Sequence, residues 1–226
     1  MAETREYPTY DAIARRIAGM GLAARGGFHP GDEDGLPGAA RTLVLVGDLG
    51  GALWSRFSSE RRAEADPLDA WTRRVLEVVA AEIGAAVLYP FDGPPHWPFQ
   101  TWAMRAEGLK PSPVGPLMHP EFGLWHSYRG ALLFEDDIPL PSAPAVIHPC
   151  DGCVERPCLA ACPVEAFAGQ AFALDACIGH QQSDVGETCR DGGCLARRAC
   201  PIGAGHAYAP DHMGFLQAAF LKTFGG

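Results

Sequence analysis

Cys150-Asp-Gly-Cys153-Val-Glu-Arg-Pro-Cys158-Leu-Ala-Ala-Cys162-Pro163 is the stretch on which the reading of this chain turns. Its spacing is C-x2-C-x4-C-x3-C-P, and a second quartet follows: Cys177, Cys189, Cys194 and Cys200-Pro201, spaced C-x11-C-x4-C-x5-C-P. All eight cysteines fall in these two runs, and residues 1–149 contain none. Soft thiolates drawn largely from one tight loop are the donors an iron–sulfur cluster needs. The x2 gap lets one turn of chain point two sulfurs at one centre, and the proline after the fourth cysteine turns the chain away.

Two rival chemistries share the raw material. C-x2-C pairs also build zinc knuckles, although a structural zinc site usually takes two such pairs separated by a longer loop. Eight cysteines could also pair as disulfides. The opening Met-Ala-Glu-Thr-Arg-Glu is charged and has no apolar leader, so we expect a cytoplasmic chain with reduced thiols. An internal echo supports a cluster in the irregular second quartet, because Cys162-Pro-Val-Glu-Ala-Phe and Cys200-Pro-Ile-Gly-Ala-Gly read as one turn used twice. The segment resembles the bacterial two-cluster ferredoxins, and its first quartet resembles the electron-transfer subunits of dimethyl-sulfoxide-reductase-type enzymes. That resemblance implies two 4Fe–4S clusters with crossed ligation. Cys150, Cys153, Cys158 and Cys200 would bind one cluster, and Cys162, Cys177, Cys189 and Cys194 the other.

The 226 residues suffice for one large or two modest domains, and 47% of them are apolar. No apolar run reaches the length of a membrane span, so no membrane partner is expected. The net charge of −9 gives no general pull toward phosphate backbones, and we expect no nucleic-acid partner. A redox partner protein, as electron donor, is compatible with that charge.

Along the chain, Thr9 reads as the N-cap of a helix with Ile13, Ile17 and Met20 on one face. Residues 26–38 read as a glycine-rich loop, and residues 42–46 as a buried strand. The strand leads into Gly47-Asp-Leu-Gly50-Gly51, either a tight strand–helix turn or a phosphate cradle. Asp66-Pro67 starts a helix whose stripe is Leu68, Trp71, Val75 and Val79, ended by Gly84. A strand over 85–91 and a short helix over 99–107 follow, with Trp97 and Trp102 in packing roles. A final amphipathic helix runs from Asp211 to Phe224.

His119-Pro-Glu-Phe-Gly-Leu-Trp-His-Ser-Tyr-Arg129-Gly-Ala-Leu-Leu-Phe134 is the second signature. It reads as a turn entering a strand, either a buried aromatic strand or a ligand-bearing block. The block resembles the cobalamin-processing CblC family, as do Leu88-Tyr-Pro-Phe-Asp92 before it and Asp137-Ile-Pro-Leu-Pro141 after it. Epoxyqueuosine reductases and reductive dehalogenases join a related corrinoid-binding domain to a two-cluster ferredoxin domain, in the order seen here. With few residues following the cysteines in this sequence, we expect no counterpart of the C-terminal tRNA-recognition region of the epoxyqueuosine reductases.

These readings lead us to expect an α+β protein. Residues 1–145 form a CblC- or nitroreductase-like sheet-and-helix domain that binds a corrinoid or a flavin. Residues 146–226 form a ferredoxin-like 4Fe–4S domain. Resemblance places His119, Trp125, Tyr128 and Arg129 around the cofactor, with Asp92 as a catalytic proton source. The expected function is electron delivery from the clusters to that cofactor. The alternative is a plain ferredoxin-type carrier whose first domain docks partners.

Overall fold

A computed structural model of the chain describes residues 8–225; the charged residues 1–6 lie outside that range. The chain divides into two compact units that interleave in sequence. One holds the residues up to Gly108 together with Ser127–Ala145, and the other holds Leu109–His126 together with the residues from Val146 onward. The fold class is α+β, with both kinds of element in the first unit.

The first unit is built on a four-stranded sheet in the order Ala23–Phe28, Thr42–Leu49, His126–Phe134, Ala86–Leu88. Thr42 to Asp48 are buried without a break, as a central strand covered on both faces requires. Around it stand the helices Tyr10–Ala18, Trp54–Glu60, Pro67–Ile83 and Phe99–Glu107. The first is capped by Thr9, whose Oγ1 accepts from Ala12 N at 3.3 Å, and it buries Ile13 and Ile17 completely. It stops at Ala18, so Met20 falls beyond the helix rather than on its stripe. The helix Pro67–Ile83 starts on its proline, buries Leu68, Trp71, Val75 and Val79, and ends at Gly84 in the left-handed conformation.

Three local readings change. The first three residues of the expected glycine loop at 26–38 belong to the strand Ala23–Phe28: Ala24 pairs with Val46 and Gly27 with Val44, which leaves one extra residue in a bulge. Gly26 sits in that bulge at φ 66°, where a Cβ would lie 2.9 Å from Ala106 O, so its glycine signals a bulge and a close approach rather than a loop. The strand expected over 85–91 is shorter, Ala86–Leu88, because the Asp92 carboxylate accepts from Tyr89 N at 3.3 Å and turns the chain off the sheet. The turn at Gly47–Gly51 is filled by its own aspartate. Asp48 Oδ2 accepts from Gly51 N and Oδ1 from Leu53 N, both at 3.0 Å, which takes the amides a phosphate would use.

The second unit is mainly helical. Lys110–Pro111 and Leu117–Met118 form a two-stranded ribbon, and among the described residues after Phe134 there is no further strand. The cysteine segment carries the helices Pro157–Ala160, Leu174–Gln182, Glu187–Gly192, Leu195–Arg198 and Pro210–Phe224. Val114, Met118 and Leu124 pack against Cys158, Ala196 and Cys200. Gly123 (φ 56°) and Gly203 (φ 71°) let two backbones cross: a Cβ on Gly123 would lie 1.9 Å from Ile202 O, and one on Gly203 2.3 Å from Phe122 C. No helix of the described residues is long and apolar enough to cross a membrane.

Candidate metal centre

The eight cysteines separate into two sets of four, and the sets do not follow the order of the chain. Cys150, Cys153, Cys158 and Cys200 line one small recess, walled by Met118, Leu124 and Ile202. Cys162, Cys177, Cys189 and Cys194 line another, with Phe167 and Gln181 at its wall. The fourth cysteine of each run has been exchanged. Cys158 lies on the short helix Pro157–Ala160 and Cys162 just after it, so one turn of chain serves both recesses.

The exchange rests on the repeated Cys-Pro turn. Three residues after Cys162, Glu165 is left-handed (φ 49°); three residues after Cys200, Gly203 is left-handed (φ 71°). Ala168 N donates to Glu165 O at 2.9 Å, and His206 N donates to Gly203 O at 2.8 Å, which closes the same turn in both places. Each turn carries the chain away from the sulfur that precedes it.

Electrostatics sort the thiols identically. Burial pushes Cys150 up, and Cys200, Cys158 and Cys153 add to the shift by like-charge repulsion. Burial likewise raises Cys200, with Cys158 and Cys153 as its charged neighbours. In the other set burial raises Cys177, with Cys162 and Cys189 nearby, and raises Cys194, with Cys177 and Cys189 nearby. Burial first, and like-charge neighbours second, thus disfavour the thiolates of Cys150 and Cys200 in one set and of Cys177 and Cys194 in the other, a penalty that a cationic centre would offset. Donors already point at sulfur: Ala166 N to Cys162 Sγ and Gln181 Nε2 to Cys177 Sγ, each at 3.3 Å.

The rival chemistries find less support in this geometry. All eight thiols are free, so no disulfide joins any pair. Among the described residues, no group of three or more His, Cys, Asp or Glu side chains converges in a way that would hold a metal ion. Each set of four cysteines lines a recess. That arrangement suits a polynuclear iron–sulfur core better than one tetrahedral zinc, whose Zn–S bonds are only about 2.3 Å.

The remaining candidate residues divide between the units. His119 and Trp125 fall in the second unit, Tyr128, Arg129 and Asp92 in the first. His119 Nδ1 accepts from the backbone N–H of Glu121 and of Phe122, both at 3.1 Å, so its proton sits on Nε2. Trp125 is 1% exposed, with the Arg197 guanidinium 4.5 Å above its ring and Tyr208 edge-on at 5.4 Å. The Tyr128 hydroxyl donates to Glu107 and accepts from Arg25 Nη2 at 3.2 Å; burial pushes its pKa far up. Arg129 pairs with Asp69 and donates to Thr72 Oγ1 at 3.3 Å. Asp92 accepts from Arg73 Nη2 at 2.6 Å, and Arg73 in turn lies 4.2 Å over the Tyr89 ring.

Several of these partners are absent from the sequence reading. Arg25, Glu107 and the pair Asp69 and Arg73 stand on three separate elements, and nothing in their spacing ties those elements together. Arg25 alone carried a usable signal, as a single cation inside an apolar strand with glycines on its far side.

No protein-family model matches the chain, and no curated protein matches it in sequence. Solved structures do. An epoxyqueuosine reductase crystallised with an epoxyqueuosine-modified tRNA-Tyr stem loop aligns at TM-score 0.54 and 13% identity, over 88% of this chain and 66% of that one. The Bacillus subtilis epoxyqueuosine reductase, with its catalytic loop swung out of the active site, aligns at TM-score 0.54 and 14% identity, over 95% and 75%. The Streptococcus thermophilus enzyme aligns at TM-score 0.51 and 15% identity, over 94% and 74%. This chain thus spans about two thirds of the first of these proteins. At such identity the likeness is one of architecture: the chain has the mixed helix-and-sheet fold found in epoxyqueuosine reductases.

Proposed function

We propose that this chain is an iron–sulfur oxidoreductase whose second unit holds two 4Fe–4S clusters, which pass electrons to a cofactor seated on the first unit. One observation carries the reading: two recesses, each lined by four cysteines, with the fourth ligands exchanged between the runs. When bound, such clusters supply low-potential single electrons. The protein's own part is to hold the thiolates, to donate to them from Ala166 N and Gln181, and to exclude water with Met118, Leu124, Ile202 and Phe167.

For the acceptor our reading favours a corrinoid, with a flavin as the competing cofactor. Around the stacked rings of Tyr89 and Phe91 stand Arg73 and Arg129, two guanidiniums suited to an amide-rich or anionic edge. Asp92, on the turn after the short strand and paired with Arg73, is the proton source in this scheme. The Bacillus subtilis neighbour has a catalytic loop of its own, which is in keeping with a reacting group on a turn. His119 keeps a donor at Nε2, while Trp125 and Tyr128 act as packed supports for the block. The second reading, a plain electron carrier, draws on a specific observation: Tyr128 and Arg129 already have partners within the first unit. The first neighbour was solved with a tRNA stem loop, which stands against our expectation of no nucleic-acid partner and makes RNA an arm of the test.

Anaerobically prepared protein should carry close to eight irons and eight sulfides. Stoichiometric zinc without sulfide would sink the cluster reading. Cys158→Ser and Cys200→Ser should damage the same cluster, and Cys162→Ser and Cys194→Ser the other, as read by electron paramagnetic resonance. Titrating the cluster-loaded protein separately with cob(II)alamin, flavin mononucleotide and a tRNA stem loop then distinguishes the functions. A corrinoid band shift weakened by Arg129→Ala supports the main reading, and silence from all three leaves the carrier.

A further inference from the structure

The first unit carries a second polar recess that the redox reading does not use. It opens between the helices Trp54–Glu60 and Pro67–Ile83 and has a volume of about 480 Å³, within the range typical of small-molecule sites. Its charged wall consists of Arg56, Arg62, Arg74 and Glu60, with Glu64 paired to Arg74 beside it. Its floor is apolar: Trp71 and Val75 are buried, and Val78 is left 54% exposed on the same helix. Three guanidiniums on one wall contrast with a chain whose net charge is −9.

The arginines differ in how they are held. Arg56 is pinned, donating from Nε to Glu60 at 2.8 Å and from Nη1 to Gly19 O at 2.7 Å. Glu60 is also fixed by Trp71 Nε1 at 2.8 Å, so its carboxylate is committed to the wall. Arg74 gives Nη1 to Glu64 at 2.6 Å, while its Nη2 is buried with no hydrogen-bond partner among the described residues. A buried donor left unmet is costly, and an acceptor entering the recess would meet it. Arg62 is exposed and joins no ion pair among the described residues.

We infer that this recess binds a small organic anion, with the acidic group held by Arg62 and Arg74 and an apolar body laid against Trp71, Val75 and Val78. Planar guanidiniums favour carboxylate and phosphate oxygens, and the apolar floor distinguishes such a ligand from an inorganic ion. The inference stands apart from the redox reading, since it involves no cysteine and no residue of the His119–Phe134 block.

The probe is phenyl phosphate, titrated calorimetrically into the cluster-loaded full-length protein, with inorganic phosphate and phenol as the two halves of the ligand. We expect one site, filled by phenyl phosphate at least about tenfold more tightly than by either half, which is about 1.4 kcal/mol. Arg62→Gln, Arg74→Gln and Val78→Asp should each weaken it by about fivefold or more, with unchanged cluster spectra and melting curves as the check on folding. Val78 is exposed, so its variant keeps the test open if Arg74→Gln fails to fold. Benzoate in place of phenyl phosphate distinguishes a carboxylate from a phosphate ligand. Absence of binding at millimolar phenyl phosphate, equal binding of inorganic phosphate, or binding indifferent to Arg62→Gln and Val78→Asp would each overturn the inference.

Discussion

The two units are stabilised by different physics. The first has an apolar centre of the ordinary kind: Leu43, Val44, Leu45 and Val46 lie fully buried on its central strand, beneath Ile13, Ile17, Phe57 and Leu76. Its most buried cation is fully met: Arg25, 1% exposed, meets Glu107 through two nitrogens, the Asp48 carbonyl and the Tyr128 hydroxyl. In the cysteine segment, by contrast, the large buried apolar side chains are few: Ile178, Tyr208 and Met213. The remaining buried apolar positions there are alanines and cysteines, which bury little area each. Leu109, Val114, Leu117, Met118, Leu124 and Trp125 supply the rest of the second unit's apolar core, and a segment with so few large apolar side chains of its own usually needs a staple. The first unit folds around its side chains; under the function proposed above, the second would be held in part by its clusters.

The largest effect that would test this contrast is loss of iron. Chelation under anaerobic conditions should abolish hydrogen-exchange protection in the helices Leu174–Gln182 and Glu187–Gly192, while the strand Thr42–Leu49 stays protected. Equal protection of the second unit with and without iron would break the contrast.

Next in size is the buried ion pair of the first unit. Glu107→Gln leaves Arg25 buried beside a neutral amide and should cost about 3–5 kcal/mol in denaturant unfolding. Asp137→Asn, which removes the exposed partner of Arg41 (side chains 62% and 58% exposed), should cost at most about 1 kcal/mol. Similar losses from both would mean that the Arg25 network is not the polar keystone described above.

Backbone crossing in the second unit gives a third, smaller effect. Gly203→Ala forces a Cβ to 2.3 Å from Phe122 C at positive φ and should destabilise by more than about 1 kcal/mol. Gly179→Ala, on the helix Leu174–Gln182 with nothing within 4 Å, should stabilise by about 1 kcal/mol or slightly less. Matching signs in thermal melts would contradict the crossing.

The smallest effect concerns pH. Cys150, Cys177, Cys189, Cys194 and Cys200 are all raised in the folded, iron-free protein, first by burial. The folded state therefore binds more protons than the unfolded state above the free thiol value of roughly 8.5. Their contribution is fully present below that pH and is lost as pH rises through the raised values, so iron-free protein should melt progressively lower from about pH 8.5 upward. With iron bound the thiolates are ligands, and this dependence should vanish. An iron-free melting point that stays level or rises over that window would contradict it.

Sequence alone determined the elements and the donor set. Periodicity located the helices beginning at Tyr10, Pro67, Phe99 and Pro210, because amphipathic stripes and caps are local properties of consecutive residues. Cysteine spacing named eight donors, because a tight loop can only present sulfur where its residues allow. The sequence misread Gly26, whose value lies in its approach to Ala106, and Tyr89, whose strand is cut short by an aspartate three residues on. Which four sulfurs share a recess followed in sequence only from the ferredoxin resemblance, not from spacing, for Cys200 meets Cys150 only after the intervening chain has folded. Only the tertiary structure decided that Arg25 meets Glu107 and that Arg56, Arg62 and Arg74 line one wall. Contacts between residues far apart in sequence depend on how elements pack, and local spacing carries no record of that.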